Sequence, residues 1–375
     1  MDPFTLLDNI EKYSKESVLK AFDNSIRSLR GMVKSGTFAL DSTIIATKPD
    51  FPGCGKTKRK KEGRPNDPPE YEYIYGFKLF ALYEVKSRII VAMNIVTANE
   101  SDHKHFLSMI KKGIHNCGKD KIQVVIADRG FLNGPEMWKL KHKLGIDFII
   151  PAKAGMIIRE DAIALCEEFK NKPLSEWSYG KDKCRGYGVD RLVSYLEYNP
   201  EGIKNNRKTN GSPLNAVVVT TWRGKNIAPE KQNVFLTSLP AEKDAAAIAR
   251  DYRLRSLIEN CGFRELKQAS FLKNLPRRCS KNADNAKSVE NAAYLHIMFC
   301  VFAHSLFYAF LGWRKKQAPK QSDGDCFRAW RREEAIKNGN SILVIAEEKY
   351  YAIYKLSELL DILGVEQKYK LQMNC

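Results

Sequence analysis

The sequence predicts an α/β protein, a mixed sheet flanked by helices and interrupted by a β-rich insertion. Three observations carry that expectation. A strand at 37–45 is followed by a hairpin, 73–83 and 88–97, and then by helices and strands in alternation to residue 152. KIQVVIA (121–127) and DFIIPA (147–152) are nearly continuous apolar runs, as strands covered on both faces are. From 154 to 240 the texture changes to frequent Gly, Asn, Lys and Pro with short strand-like apolar runs.

Residues 5–34 place Leu6, Leu7, Ile10 and Tyr13, then Val18, Leu19, Phe22, Ile26 and Leu29, at helical spacing, so two short helices are expected. TFALDSTII (37–45) is β-branched and apolar and reads as a strand. The following GCGKTKRKKEGRPNDPPEYEY reads as a Gly/Pro/charge loop. Its GCGKT is no phosphate-binding loop, because residue 50, where that motif needs Gly, is Asp. The connection Glu84–Ser87 is of hairpin length, 102–114 is helical, and strand 121–127 ends at Asp128-Arg129-Gly130-Phe131. A helix at 134–144 and the strand at 147–152 follow. LVSYLEY (192–198), NAVVVTTW (215–222) and NVFLTSLP (233–240) are the expected strands of the insertion. The pattern after Pro240 is helical to about 312, with a strand at 341–346 and a terminal helix near 352–363. The division is therefore 1–36, a short helical segment; 37–153, the first part of the core; 154–240, the insertion; and 241–375, the helical remainder and C-terminal segment.

Lysine plus arginine is 62 against 44 acidic residues, a net charge of +18 in 375 residues. A polyanionic partner is the simplest reason for such an excess, and nucleic acid comes first. The basic runs are 54–65, which includes Lys58, Arg59 and Lys60, and 273–287. Nine scattered cysteines with no CxxC pair read as reduced thiols of a cytosolic protein. The charged N-terminus has no signal-peptide core. Ala292–Gly312 has no Asp, Glu, Lys or Arg, but its two histidines and two tyrosines favour a buried core helix over a membrane span. His103 and His105 flank a helix start and read as surface residues.

Two carboxylates sit where ligand-binding residues of open α/β sheets sit. Asp41 lies inside an apolar strand and Asp128 at the carboxyl end of a buried one. A carboxylate there is expensive unless paired or metal-bound. On the helix 251–268, Tyr252, Arg255 and Glu259 share one face with Phe263 and Leu266. Three converging carboxylates can hold two Mg²⁺ ions about 3.5–4 Å apart for in-line attack on phosphorus.

LDST around Asp41, ADRGF at 127–131 and the helix Y-x2-R-x3-E followed by lysine together resemble the DDE transposases of bacterial insertion sequences. More narrowly, they resemble the insertion-sequence-four class with its Tyr–Arg–Glu–Lys signature. The resemblance covers about residues 37–312. It implies an RNase H-like core, two divalent metals (Mg²⁺, with Mn²⁺ as a substitute), and strand cleavage followed by strand transfer. It implies Asp41, Asp128 and Glu259 as catalytic metal ligands and Tyr252, Arg255 and Lys267 as contacts to the DNA end. It also implies double-stranded DNA partners, terminal inverted repeats and target, bound by a homodimer in the bacterial cytoplasm at the nucleoid, with no membrane. An insertion aromatic, Trp222 before Trp177, would stack on an extruded base. Another RNase H-like nuclease and a transposase-derived DNA-binding protein without catalysis are the alternative readings. The chain differs from the class at Ser256, where Trp is usual. Only about 36 residues precede the first strand, short for the family's common N-terminal DNA-binding domain.

The signature lysine also arrives one residue late, with Leu266 in its usual place. Gly262 makes a distortion cheap there, so a π-bulge or kink is expected near 260–263, turning Lys267 into the groove of Tyr252 and Arg255. On an undistorted helix its role would pass to Arg264 or be absent.

Overall fold

The computed structural model describes residues 13–61, 70–168, 175–179, 182–202, 211–223, 231–275, 286–317, 322, 324, 341–346 and 350–355. They fall in two units, Met1–Ala309 and Phe310–Cys375.

In the first unit, helix α1 (Lys15–Ser28) starts where Ser14 accepts the Ser17 N–H, and it buries Val18, Phe22 and Ile26 as one stripe. It is the second of the two expected helices; residues 5–12 of the other lie outside the described residues. The sheet is built from β1 (Gly36–Thr47), β2 (Gly55–Lys60), β3 (Tyr71–Glu84), β4 (Ile90–Thr97), β5 (Ile122–Ala127) and β6 (Asp147–Pro151). β3 lies antiparallel to β1 and to β4, while β5 and β6 run parallel to β1. The order β4–β3–β1–β5–β6 about a central β1 is an RNase H-like mixed sheet. Helices α2 (Phe106–Cys117) and α3 (Gly134–Leu144) supply the crossovers. Asn133 caps α3 by accepting the Glu136 N–H, and Gly145 at φ 66° ends it. Glu84, fully buried, accepts the Lys34, Lys86 and Ser87 N–H groups and so closes the β3–β4 hairpin.

The β1–β3 register assigns the two faces of the sheet. Asp41, Thr43 and Ile45 lie opposite Ala81, Leu79 and Phe77 on one face. That face meets the C-terminal helices, since the Phe77 ring packs edge-on to Tyr294. The other face carries Ser42, Lys78 and Phe80. Ser42 and Lys78 bond Asp102, and Phe80 packs on His105 at 4.4 Å, so His105 is partly buried rather than a surface residue.

The expected loop after β1 contains β2, an edge strand laid antiparallel along the first half of β3. Ladder bonds join backbone groups, so a charged segment can take a strand when an open edge is beside it. The insertion is not a separate β unit. β7 (Ser175–Tyr179), β8 (Asp182–Leu192), β9 (Leu214–Arg223) and β10 (Lys231–Thr237) continue the same sheet, with β10 antiparallel to the β6 edge. Helix α4 (Ile157–Glu168), unexpected there, buries Ile158 and Ala162. Residues 193–198 form a turn rather than a strand: Val193 and Tyr198 accept single bonds from Gly211 and Ser212, and the Tyr198 ring is buried.

Helix α5 (Ala241–Arg253), a π-helix (Ile258–Phe263) and α6 (Arg264–Gln268) lead to α7 (Ala286–Gln317). α7 is long and apolar enough to cross a membrane, and about half of its most apolar stretch is buried inside the protein. Ser305 on α7 accepts the Ile90 N–H of β4 at 3.2 Å. Cys54, Cys117, Cys184, Cys261 and Cys300 are free thiols. In the second unit β11 (Ser341–Ala346) pairs with β12 (Tyr350–Lys355). The terminal helix expected from 352 is therefore a strand to 355, because YYAIYK alternates against SILVIA; residues 356–363 lie outside the described residues.

Candidate active site

Asp41 and Asp128 are neighbours because two strands are. Leu40 of β1 stands opposite Ala127 of β5, so the residues that follow each lie side by side across one strand spacing, about 4.8 Å. Asp128 ends β5 in extended backbone and accepts the Phe131 N–H, which starts a short 3₁₀ turn. Asp41 stays inside β1, 8% exposed. Its Oδ1 accepts the Ser42 N–H at 2.8 Å and its Oδ2 accepts from Arg255 Nη1 at 2.7 Å. Burial raises its pKa to about 7, opposed by Arg255 and the Ser42 N–H and supported by the negative charges of Glu259 and Asp128.

Glu259 comes from the π-helix and is half exposed. Arg255 Nη1 donates to its Oε1 at 2.8 Å as well as to Asp41, so one guanidinium joins two of the three carboxylates. Burial works against the charge of Arg255, but Asp41, Tyr252 and Glu259 outweigh it and push its pKa above the ordinary value. The Tyr252 ring packs on Phe235 at 4.5 Å, and burial raises its hydroxyl pKa to about 12.

The π-helix spans the positions where the late lysine asks for a distortion. It absorbs one residue, so Leu266 is fully buried while Lys267 still reaches the sheet face that carries Asp41. Lys267 Nζ donates to Thr43 Oγ1 at 2.5 Å. Burial lowers its pKa, aided by the charges of Lys273 and Arg59. Gly262 lies against the Tyr83 ring, where an added Cβ would sit 3.7 Å from its carbons. Lys267, Arg264 and Lys273 line one pocket of about 380 Å³ with Asp41, Thr43 and Glu259.

The sequence profile of the transposase DDE domain matches residues 34–294. The chain belongs to this family. A comparison with curated proteins finds no match. Among solved structures the chain is similar to a chain of the piggyBac transposase synaptic complex with hairpin DNA, seen by cryo-EM, at 10% sequence identity and a TM-score of 0.39. The match covers 80% of this chain and 53% of that one, so this chain spans about half the length of that relative.

The carboxylate oxygens of Asp41, Asp128 and Glu259 are of the kind that suits a hard divalent cation. Arg255 bridges two of them, Asp41 and Glu259. Among the described residues, however, no group of three or more His, Cys, Asp and Glu is arranged to hold a metal ion. A cation between Asp41 and Glu259 is already present as Arg255, so metal ligation by both requires that bridge to open.

The remaining candidates lie elsewhere. Lys58 and Arg59 are exposed on β2; the side chain of Lys60 lies outside the described residues. Trp222 pairs with Lys183 in the β9–β8 ladder, and its side chain also lies outside them. Trp177 on β7 covers Gly186 of β8. Of the basic run 273–287, residues 276–285 lie outside the described residues. Thr43 as the lysine's acceptor, and Ser42 with Lys78 on Asp102, carry no signal in the sequence beyond their strand positions.

Proposed function

We propose that the chain is a transposase of the insertion-sequence-four class that cuts DNA at transposon ends and transfers the freed strands into a target. The observation that carries this reading is Asp41 beside Asp128 on parallel strands, with Glu259 brought to Asp41 through Arg255. Asp41, Asp128 and Glu259 would hold the divalent ions, Mg²⁺ or Mn²⁺ in its place, whose chemistry is to activate water or a 3′-hydroxyl and stabilise the departing oxygen. Arg255 keeps the buried Asp41 charge compensated until that exchange. Lys267, Arg264 and Lys273 set a cationic rim on the pocket, where a phosphodiester can approach the carboxylates. Tyr252 and Arg255 complete the grip on the DNA end, and Trp222 supplies a stacking surface for an extruded base. The partners are double-stranded terminal repeats and target DNA, taken by a homodimer in the cytoplasm at the nucleoid.

The test is nicking of a plasmid that carries the DNA flanking the coding sequence, with and without Mg²⁺. Asp41→Ala, Asp128→Ala and Glu259→Ala should each abolish nicking while duplex binding remains. Undiminished Mg²⁺-dependent nicking by any of the three removes that residue from the ligand set. A wild-type chain that binds DNA without nicking it would favour the non-catalytic reading.

A further inference from the structure

We propose a second DNA-binding surface on the outer ribbon β2–β3, one that takes the sugar–phosphate backbone of a duplex. The inference rests on the DNA-processing reading above.

The ribbon sorts its side chains by face. Lys56, Lys58 and Lys60 stand opposite Tyr75, Tyr73 and Tyr71, so one face alternates lysine and tyrosine and carries no carboxylate. Glu72 belongs to the other face, opposite Arg59. Lys56 and Lys58 are exposed, and Tyr71 and Tyr73 are 52% and 61% exposed. Each described lysine leans diagonally over the next tyrosine: Lys56 Nζ is 4.0 Å from the Tyr73 centroid, and Lys58 Nζ is 4.2 Å from that of Tyr71. The rings therefore hold the ammonium groups in place, and their faces are covered by cations. A base could stack there only by displacing a lysine, whereas a phosphate can accept from the presented ammonium. This chemistry fits the backbone of nucleic acid and selects no sequence.

The ribbon's position relates it to the candidate active site. Tyr75 pairs with Thr47 and Ala81 with Asp41, so the lysine–tyrosine face is the same sheet face that carries Asp41 and Thr43. The competing role for these lysines is to guard an edge strand against pairing with other chains.

The experiment is anisotropy of a labelled 30-base-pair duplex of arbitrary sequence, titrated with the full chain across a range of salt. Losing two phosphate contacts should reduce the slope of log K against log salt by about 1.8 in K56Q/K58Q. K56R/K58R should keep the wild-type slope and exclude a folding defect. Tyr73→Leu should weaken binding about two- to five-fold with the slope unchanged, since it frees the lysine without removing it. A steep wild-type slope that K56Q/K58Q leaves intact would overturn the surface and leave edge protection as the role. Loss confined to a 30-nucleotide dT strand, with duplex binding intact, would also overturn it. A wild-type slope near zero would instead fell the DNA reading itself.

Discussion

Replacing Arg255 by Met should destabilise the first unit strongly at alkaline pH and weakly at acid pH. The guanidinium is 18% exposed and bonds Asp41, itself 12% exposed in its side chain, at 2.7 Å. Removing one partner of a buried pair costs about 3–5 kcal/mol. Glu259 is 51% exposed, so its share is small. The Asp41 pKa is raised to about 7, so the folded state binds this proton more tightly than the unfolded chain. The contribution is complete below the ordinary carboxylate range and is lost as pH rises through 7. Without Arg255 the pKa rises further and the loss at alkaline pH deepens. At pH 5 Asp41 is already protonated, and the variant forfeits about one hydrogen bond, about 1 kcal/mol. With an unfolding entropy of about 2.1 cal/mol/K per residue, 1 kcal/mol shifts the melting temperature of a unit of this size by about 1.5 °C. Circular dichroism should therefore show Tm lowered by about 5–8 °C at pH 8.5 and by under about 2 °C at pH 5. Equal losses at the two pH values would refute the compensation of a buried Asp41 by Arg255.

Glu84→Ala strips three backbone N–H groups of their buried acceptor and should lower stability by roughly 3 kcal/mol; a melting temperature within 1 °C of wild type would contradict the capping role. Burial lowers the pKa of His304 to about 4, against a hydrogen bond to the Arg88 backbone that favours its charge and with the Arg88 guanidinium opposing it, while the nearby Glu265 accepts from Tyr308. Its contribution is present above pH 6.5 and lost as pH falls through 4, so urea midpoints should fall across that window and His304→Phe should flatten the fall. Unchanged pH dependence in that variant would place the titration elsewhere. Lys267→Met should reduce the salt slope of duplex binding by about 0.9, whereas Thr43→Val should leave it unchanged; equal effects would mean the lysine serves only its bond to Thr43.

Local pattern determined much of the core on its own. The apolar runs at 122–127 and 147–151 became buried parallel strands, and the Asn133 and Gly145 caps bounded α3 within the helix read at 134–144. Asp41 inside a strand and Asp128 at a strand end were legible because periodicity of two and turn chemistry are local. The one-residue offset between Leu266 and Lys267 pointed to the π-helix, because both side chains had claims on one helix face. Only the tertiary structure decided who sits opposite whom. Ladder bonds join backbone groups and leave little residue signature, so the charged segment Gly55–Lys60 became a strand and residues 193–198 did not. For the same reason it took the structure to place the insertion's strands on the β6 edge of the core sheet. The helix face showed that Arg255 could meet Glu259, but its second partner, Asp41, lies 214 residues away in the chain. Periodicity reports that a face is covered, not by what; that the covering cation of a buried carboxylate is an arginine emerges only when strand and helix pack together.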